Sequence, residues 1–495
     1  MFDHTPDMAK KRAELAPHKI AFETDERTWT FKEINAAADA LATGLLNTGL
    51  NAGDKLAMLS LNRVEFFISL FACQKSGLIL APLNWRQPQT ELIEVLSSVG
   101  ATAIIFDQEN ADVGRAIAEN MSLHAIALDD SSTSDISYEE LLQSDPIVHS
   151  KTDSSAPWYL LFTSGTTGLP KAVIYTAQMA WANTMNISHA MGLSEQDRSA
   201  NFLPLFHTGG INLYTLSLFL LGGTSIILPR FDPNVIFELI QKGKINQLFA
   251  VPAIFQAFSL HKDVDDVDWT TVGMGCGGAP LPEPLIRFFA DRGAMICNGF
   301  GMTETGASGF LMDRATAKEK IGSVGRPMLL MDIRLAGVEE NQLGEGEIQL
   351  RGPSITPGYF ENLEATQSLF TEDGWMCSGD VGRRDEDGYY FIVDRIKDMY
   401  ISGGENVYPA EIERILAQHP DILEAAVIGI PDEKWGEVGA AYLLPRPDAT
   451  VDISTLSAWC RERMAPYKIP KHFDVISEFP RTAAGKIRKT ELRKQ

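Results

Sequence analysis

The sequence has few cysteines and no pairing pattern among them, no apolar run fit for a leader or an anchor, and too little positive charge to balance its acids. Its five cysteines, Cys73, Cys276, Cys297, Cys377 and Cys460, lie far apart. They give no close pair for a zinc site and, being odd in number, no complete disulfide framework, so a reducing cytoplasm is the expected compartment. The opening MFDHTPDMAKKRAELAPHK is charged where an export signal needs an apolar stretch, and none is expected. The most apolar span, residues 211–229, is interrupted by Asn212, Thr215, Ser217, Gly222, Gly223, Thr224 and Ser225. It reads as a buried helix, a glycine turn and a strand, not as an integral membrane segment. Lys and Arg total 43 against 65 Asp and Glu, a net charge of -22 that repels polyanions, so nucleic acid is excluded as a partner. Residues 461–495 run the other way, with ten basic side chains against four acidic ones. Most of these read as solvated surface, and a few could meet a small phosphate-rich ligand.

What is present is the makings of a multi-domain globular protein. The chain has 495 residues, 45% of them hydrophobic and 22% charged, and it has no low-complexity segment or internal repeat. Strand-like runs at 158–162, 172–175, 224–228, 247–251, 272–276 and 295–298 alternate with helical periodicity and predict α/β layers with parallel sheet. Residues 346–393 change to short strands and turns, a small β-rich subdomain. From about residue 397 a second unit begins, with its own signals at 409–418, 422–430 and 454–464. The boundary is placed at Asp394-Arg395-Ile396-Lys397, giving domains 1–394 and 395–495. The join is short and charged, suited to a hinge. The fold class is therefore α/β: a large N-terminal domain of layered α/β subdomains with a small β-rich subdomain, then a small α+β C-terminal domain.

The strongest local signal is Thr163, Ser164, Gly165, Thr166, Thr167, Gly168, Leu169, Pro170 and Lys171, set between two apolar strands. Hydroxyls, flexible backbone N–H groups and one cation in so short a loop suit a polyphosphate. A polar hairpin is the plain alternative, and the two glycines with the terminal lysine weigh against it. GxxxxGK[ST] is not satisfied, so this is no Walker loop. Gly273, Gly275 and Gly278 give a GxGxxG match, but Pro280, Pro282 and Pro284 follow and no acidic residue sits on a clear second strand, so a dinucleotide fold is rejected. The stretch 221–225, LGGTS, looks like a carrier attachment site but leads straight into a strand-like run, so it is rejected as one.

The 163–171 loop resembles the phosphate loop of the adenylate-forming, AMP-binding superfamily of acyl-CoA synthetases, luciferases and peptide-synthetase adenylation domains. Further matches follow in that family's order: Pro204 to His207, Gly277-Gly278-Ala279-Pro280, Asn298 to Glu304, Ser378-Gly379-Asp380, Asp394 to Lys397, Ser402 to Asn406 and Pro480 to Lys486. Singly, each is better read as a turn, a helix start or a packed side chain. In register they are not. The resemblance implies ATP, Mg2+ and coenzyme A as the small molecules used. It places Thr163, Ser164, Gly165, Thr166, Thr167, Gly168 and Lys171 on the β- and γ-phosphates, Thr303 on the α-phosphate and Glu304 on the magnesium. It places Gly278, Ala279, Asn298, Gly299 and Phe300 around the nucleotide, with Phe300, tyrosine in many relatives, stacked on adenine. Asp380 is expected on the ribose hydroxyls, with Arg395 close by. Lys486 is expected to bridge the acid carboxylate and the α-phosphate, with His207 orienting that carboxylate and Thr208, Gly209, Gly278, Gly301 and Met302 forming the acyl pocket. Lys397 is the expected pivot of a mobile C-terminal cap that brings Gly403 and Gly404 to the coenzyme A tunnel. Ala172 and Ala484 depart from the glycine and threonine common in relatives, and neither removes a charged group.

Residues 202–231 are rich in Phe, Leu and Ile, so an apolar carboxylic acid is expected. The pattern DRIKDMYISGGENVYPAEIE most resembles bacterial fatty-acyl-CoA ligases, which makes a medium- or long-chain fatty acid the expected substrate. An aryl or hydroxycinnamic acid is the alternative, and a non-catalytic nucleotide-binding protein is the outside one. Retention of Lys171, Glu304, Asp380, Arg395 and Lys486 argues against the last. A homodimer is compatible with the resemblance.

Overall fold

The structure, a computed structural model, describes residues 4–129, 136–146, 153–163, 170–340, 342–482 and 485–493. Two mixed sheets dominate. In the first, six parallel strands lie in the order Ile20–Glu23, Thr224–Ile227, Arg198–Asn201, Gln247–Ala250, Gly273–Cys276 and Ile296–Phe300. Antiparallel strands Thr28–Thr30 and, at the far edge, Phe310–Leu311 and Arg326–Pro327 complete it. The second sheet orders Ile136–Ser137, His124–Ala127, Ala101–Phe106, Lys55–Leu59, Ile79–Pro82, Pro157–Thr163 and Lys171–Thr176. Runs such as ATAIIF and PWYLLFT are nearly continuous in apolar residues, as strands covered on both faces require.

The expected strands at 158–162 and 172–175 form, but not as members of the parallel sheet with the other four. They pair antiparallel with each other at the edge of the second sheet. The loop between them is too short for a parallel crossover, which takes about a dozen residues or more.

Helix Phe31–Asn47 begins with a reciprocal cap: Glu33 N–H donates to Thr30 Oγ1 at 3.2 Å and Thr30 N–H to Glu33 Oε2 at 2.7 Å. It packs on helix Val64–Ser76. Phe22, Phe31, Phe67, Phe71 and Phe219 pack face-on or edge-on with ring centroids 4.4 to 5.6 Å apart and tie the two sheets into one core. The span 211–229 folds largely as expected, with a π-helical turn Gly209–Leu213, helix Thr215–Leu221 and strand Thr224–Ile227. Among the described residues no helix is long and apolar enough to cross a membrane.

The β-rich segment is an antiparallel sheet of Asp332–Leu335, Glu345–Arg351, Met376–Arg384 and Tyr390–Arg395. Beyond it, strands Ile422–Asp432 and Gly436–Pro445 pair along their length, and helices Pro409–Leu416 and Ile453–Arg461 cover them. Ile412, Leu416, Val427, Leu443 and Leu456 make a separate core there. The basic tail is largely structural: Lys468, Arg481 and Lys489 pair with Glu411, Glu424 and Glu413. A side-chain bond ties the join to the helix that follows it. The Asp394 carboxylate accepts the N–H of Ala410, in the first turn of helix Pro409–Leu416, at 2.8 Å.

Candidate active site

Strands that share a direction deliver the loops at their C-terminal ends to one side of the sheet. Trp85 and Arg86 follow Ile79–Pro82, residues 204–210 follow Arg198–Asn201, Gly277 and Gly278 follow Gly273–Cys276, and residues 301–305 follow Ile296–Phe300. These loops, with Gly485 and Lys486 from the C-terminal unit, line one cavity of about 490 Å³. Of the expected residues, His207, Thr208, Gly209, Gly278, Gly299, Phe300, Gly301, Met302, Thr303 and Lys486 lie on its wall. The backbone approaches itself closely at Gly301, where a Cβ would sit 1.9 Å from the Ala307 carbonyl, so no side chain fits.

The charged groups act on one another. Lys486 as a residue keeps some exposure, while its ammonium is withdrawn from water. That burial, helped by Arg395, lowers its pKa to about 8, against the pull of Asp380 and Glu304. Burial, then Lys486 and Arg86, lower the His207 pKa to about 4, so the ring is neutral at neutral pH. Asp380 is raised by burial, with Arg395 and Lys486 opposing, and its Oδ1 accepts from Arg395 Nε at 3.1 Å. Register explains that pair: Asp380 and Arg395 face each other across adjacent strands. His207 Nε2, Asp380 Oδ2 and Asn298 Oδ1 are buried without a hydrogen-bond partner among the described residues. Native proteins seldom leave such atoms unpaired: the two oxygens fit ligand hydroxyl or amino donors, and His207 Nε2 can donate to an anionic oxygen.

Glu304 is 7% exposed and stands in the short 3₁₀ turn Thr303–Thr305. Tyr175 Oη donates to the Thr303 carbonyl at 2.5 Å and Tyr359 Oη to Glu304 Oε1 at 2.9 Å. Thr163 and Lys171 close the ends of their strands, and the Lys171 ammonium lies 4.8 Å from the Tyr359 ring centroid. Ser164, Gly165, Thr166, Thr167 and Gly168 lie outside the described residues, as does Ala484. Ala279 and Asn298 flank the cavity on loop and strand without lining it. Lys397 is exposed at the join. Gly403 and Gly404 are not on the cavity. They form the exposed turn between Tyr400–Ser402 and Glu405–Val407, where φ of 62° and 89° suits glycine. Trp435 packs against that turn, with Lys434 and Lys471 against its ring. The motifs did not single out Tyr359, Arg86, Trp435 or the wall residues Tyr214 and Phe249.

Residues 9–360 match the AMP-binding enzyme family and residues 411–486 its C-terminal domain. The chain belongs to the AMP-binding enzyme family. Among its relatives, a feruloyl-CoA synthase of Amycolatopsis is 36% identical over 490 residues, covering 98% of this chain and 97% of that protein. A long-chain-fatty-acid–CoA ligase of Mycobacterium tuberculosis is 34% identical over 504 residues, covering 99% and 97%. The o-succinylbenzoate CoA synthetase of Bacillus subtilis, solved with its acyl-adenylate intermediate, superposes with a TM-score of 0.86 at 30% identity, covering 100% of this chain and 98% of that one. The same synthetase solved with ATP and magnesium ion gives 0.87 at 29%, covering 99% of each. By family this AMP-binding enzyme is an adenylate-forming acyl-CoA synthetase, with ATP, magnesium and coenzyme A as its small molecules.

The residues present fit magnesium carried on a triphosphate. Glu304 offers a carboxylate oxygen, and the described residues hold no group of three or more His, Cys, Asp or Glu that could bind a metal by themselves. Such an ion takes one or two carboxylates and completes its shell with phosphate and water. When bound it would neutralise charge on the phosphates, with Glu304 holding it and Thr303 beside it.

Proposed function

We propose that this enzyme activates an apolar carboxylic acid with ATP to its acyl-adenylate and passes the acyl group to coenzyme A, and that the acid carries an aryl group. A carboxylate is a poor electrophile, so it attacks the α-phosphorus of ATP and pyrophosphate leaves. The thiol then attacks the acyl carbon and AMP leaves. Lys486 holds the charge that builds between carboxylate and α-phosphate. Neutral His207 donates through Nε2 without adding a second positive charge. Asp380 holds the ribose with its unpaired Oδ2, Arg395 steadies Asp380, and Lys171 with the 163–168 loop takes the outer phosphates. The cap turns at Lys397 between the two steps, and Gly403, Gly404 and Trp435 then face the thiol substrate.

The observation that carries the choice of acid is the composition of the wall. Gly277, Gly278 and Gly301 line the cavity together with the rings of Phe202, Tyr214, Phe231 and Phe249 and aliphatic side chains such as Leu203 and Leu213. A Cβ at Gly277 would stand 3.2 Å from the Phe249 ring. A lining of glycines and aromatic rings suits a planar group. A medium- or long-chain fatty acid is the second reading, supported by the C-terminal sequence pattern and by the fatty-acid relative. Pyrophosphate release across cinnamic, benzoic, arylacetic and fatty acids decides between them. Higher kcat/KM for an aryl acid is expected. A higher value for hexadecanoate overturns the aryl assignment, and silence with every acid overturns the ligase reading.

A further inference from the structure

Glu304 is held from both ends by one short segment. The Thr356 N–H donates to the Glu304 carbonyl at 2.8 Å, and Tyr359 Oη donates to the Glu304 carboxylate at 2.9 Å. That segment also runs beside the strand that leaves the phosphate loop. Ile174 N–H donates to the Gly358 carbonyl at 3.1 Å, Phe360 N–H to the Ala172 carbonyl at 2.8 Å, and Thr356 Oγ1 to the Ile174 carbonyl at 2.7 Å. Tyr359 is 8% exposed, and its ring carries the Lys171 ammonium on its face. One tyrosine therefore touches the last residue of the phosphate loop with its ring and the acidic residue 55 positions earlier with its hydroxyl.

We propose that Tyr359 is a positioning residue for adenylate formation, fixing the Glu304 carboxylate for the metal–nucleotide while its ring seats Lys171. This rests on the assignment of Glu304 to the metal. A buried carboxylate free to rotate must be ordered when the ion arrives, and a donor on one oxygen removes that cost and leaves the other oxygen to bind. The ring adds a link that a hydroxyl alone would lack, because the loop lysine and the carboxylate then share one support.

The test is the Tyr359→Phe variant, which keeps the ring and removes only the hydroxyl. Binding of manganese with ATP, followed by electron paramagnetic resonance, should weaken about tenfold or more, the usual effect of losing an outer-shell partner. Adenylation should slow far more than thioester formation from supplied acyl-adenylate. In a Glu304→Gln background the same substitution should add little, since its effect passes through that carboxylate. If Glu304→Gln weakens metal–nucleotide binding and Tyr359→Phe does not, the proposal fails while the role of Glu304 stands. An undiminished effect of Tyr359→Phe in the Glu304→Gln background also overturns it, as a general packing defect would give. If neither variant weakens binding, the Glu304 assignment is itself wrong and Tyr359 falls with it.

Discussion

Taking a lysine ammonium out of water costs several kcal/mol unless partners repay it, and Lys486 is repaid only in part by Asp380 and Glu304. Its charge is therefore poised to gain from the negative charge of a forming adenylate. Lys486→Ala is expected to lower adenylation by about 10²- to 10³-fold, the scale of removing one preorganised charge-stabilising donor. Thioester formation from supplied acyl-adenylate should be spared, and single-turnover measurement of the two half-reactions checks this. The pH dependence has a definite sign. Below about 8 the lysine is protonated and charged, and above it the charge is lost, so adenylation should fall as pH rises through that value while the same variant shows no such fall. Lys486, His207, Asp380 and Glu304 were singled out in the sequence because each stands inside a short motif. Tyr359 was not, because its partner lies 55 residues away and a Gly-Tyr pair looks like an ordinary turn.

Among the elements, the π-helical turn Gly209–Leu213 separates two glycines that look alike in sequence. A Cβ at Gly210 would meet the Pro204 carbonyl at 2.4 Å, whereas at Gly209 the nearest atoms, methyls of Leu203 and Leu213, are 3.7 Å away. Gly209→Val should therefore fold and narrow the cavity. Relative kcat/KM for a bulky aryl acid against a small acid is expected to drop at least tenfold, the scale of one or two methylenes in an apolar pocket. Competition assays with paired acids would show it, and an unchanged ratio would place Gly209 away from the acid. Periodicity located the strands well, down to Thr224–Ile227 and Gly273–Cys276. It could not assign the Pro157–Thr163 pair to its own sheet, because an apolar run carries no mark of its neighbour or direction.

At the scale of the molecule, the cavity wall comes from the large N-terminal part except for Gly485 and Lys486. Chemistry that needs Lys486 thus depends on how the two parts meet. Lys397→Pro restricts the backbone at the proposed pivot. It is expected to slow thioester formation at least tenfold more than adenylation, measured as separate half-reactions, and the reverse ranking would move the pivot elsewhere. The join was placed from its charged, short composition and from the separate signals that follow. The contacts across it were not, because they pair residues from both sides.

The Asp394–Ala410 bond gives that join a direction. Asp394 comes before Lys397 and Ala410 after it, so the proposed turn at Lys397 would part the carboxylate from the helix start. A cap that pivoted there, as proposed, would begin its turn by uncorking a helix, with this bond the notch it steps out of.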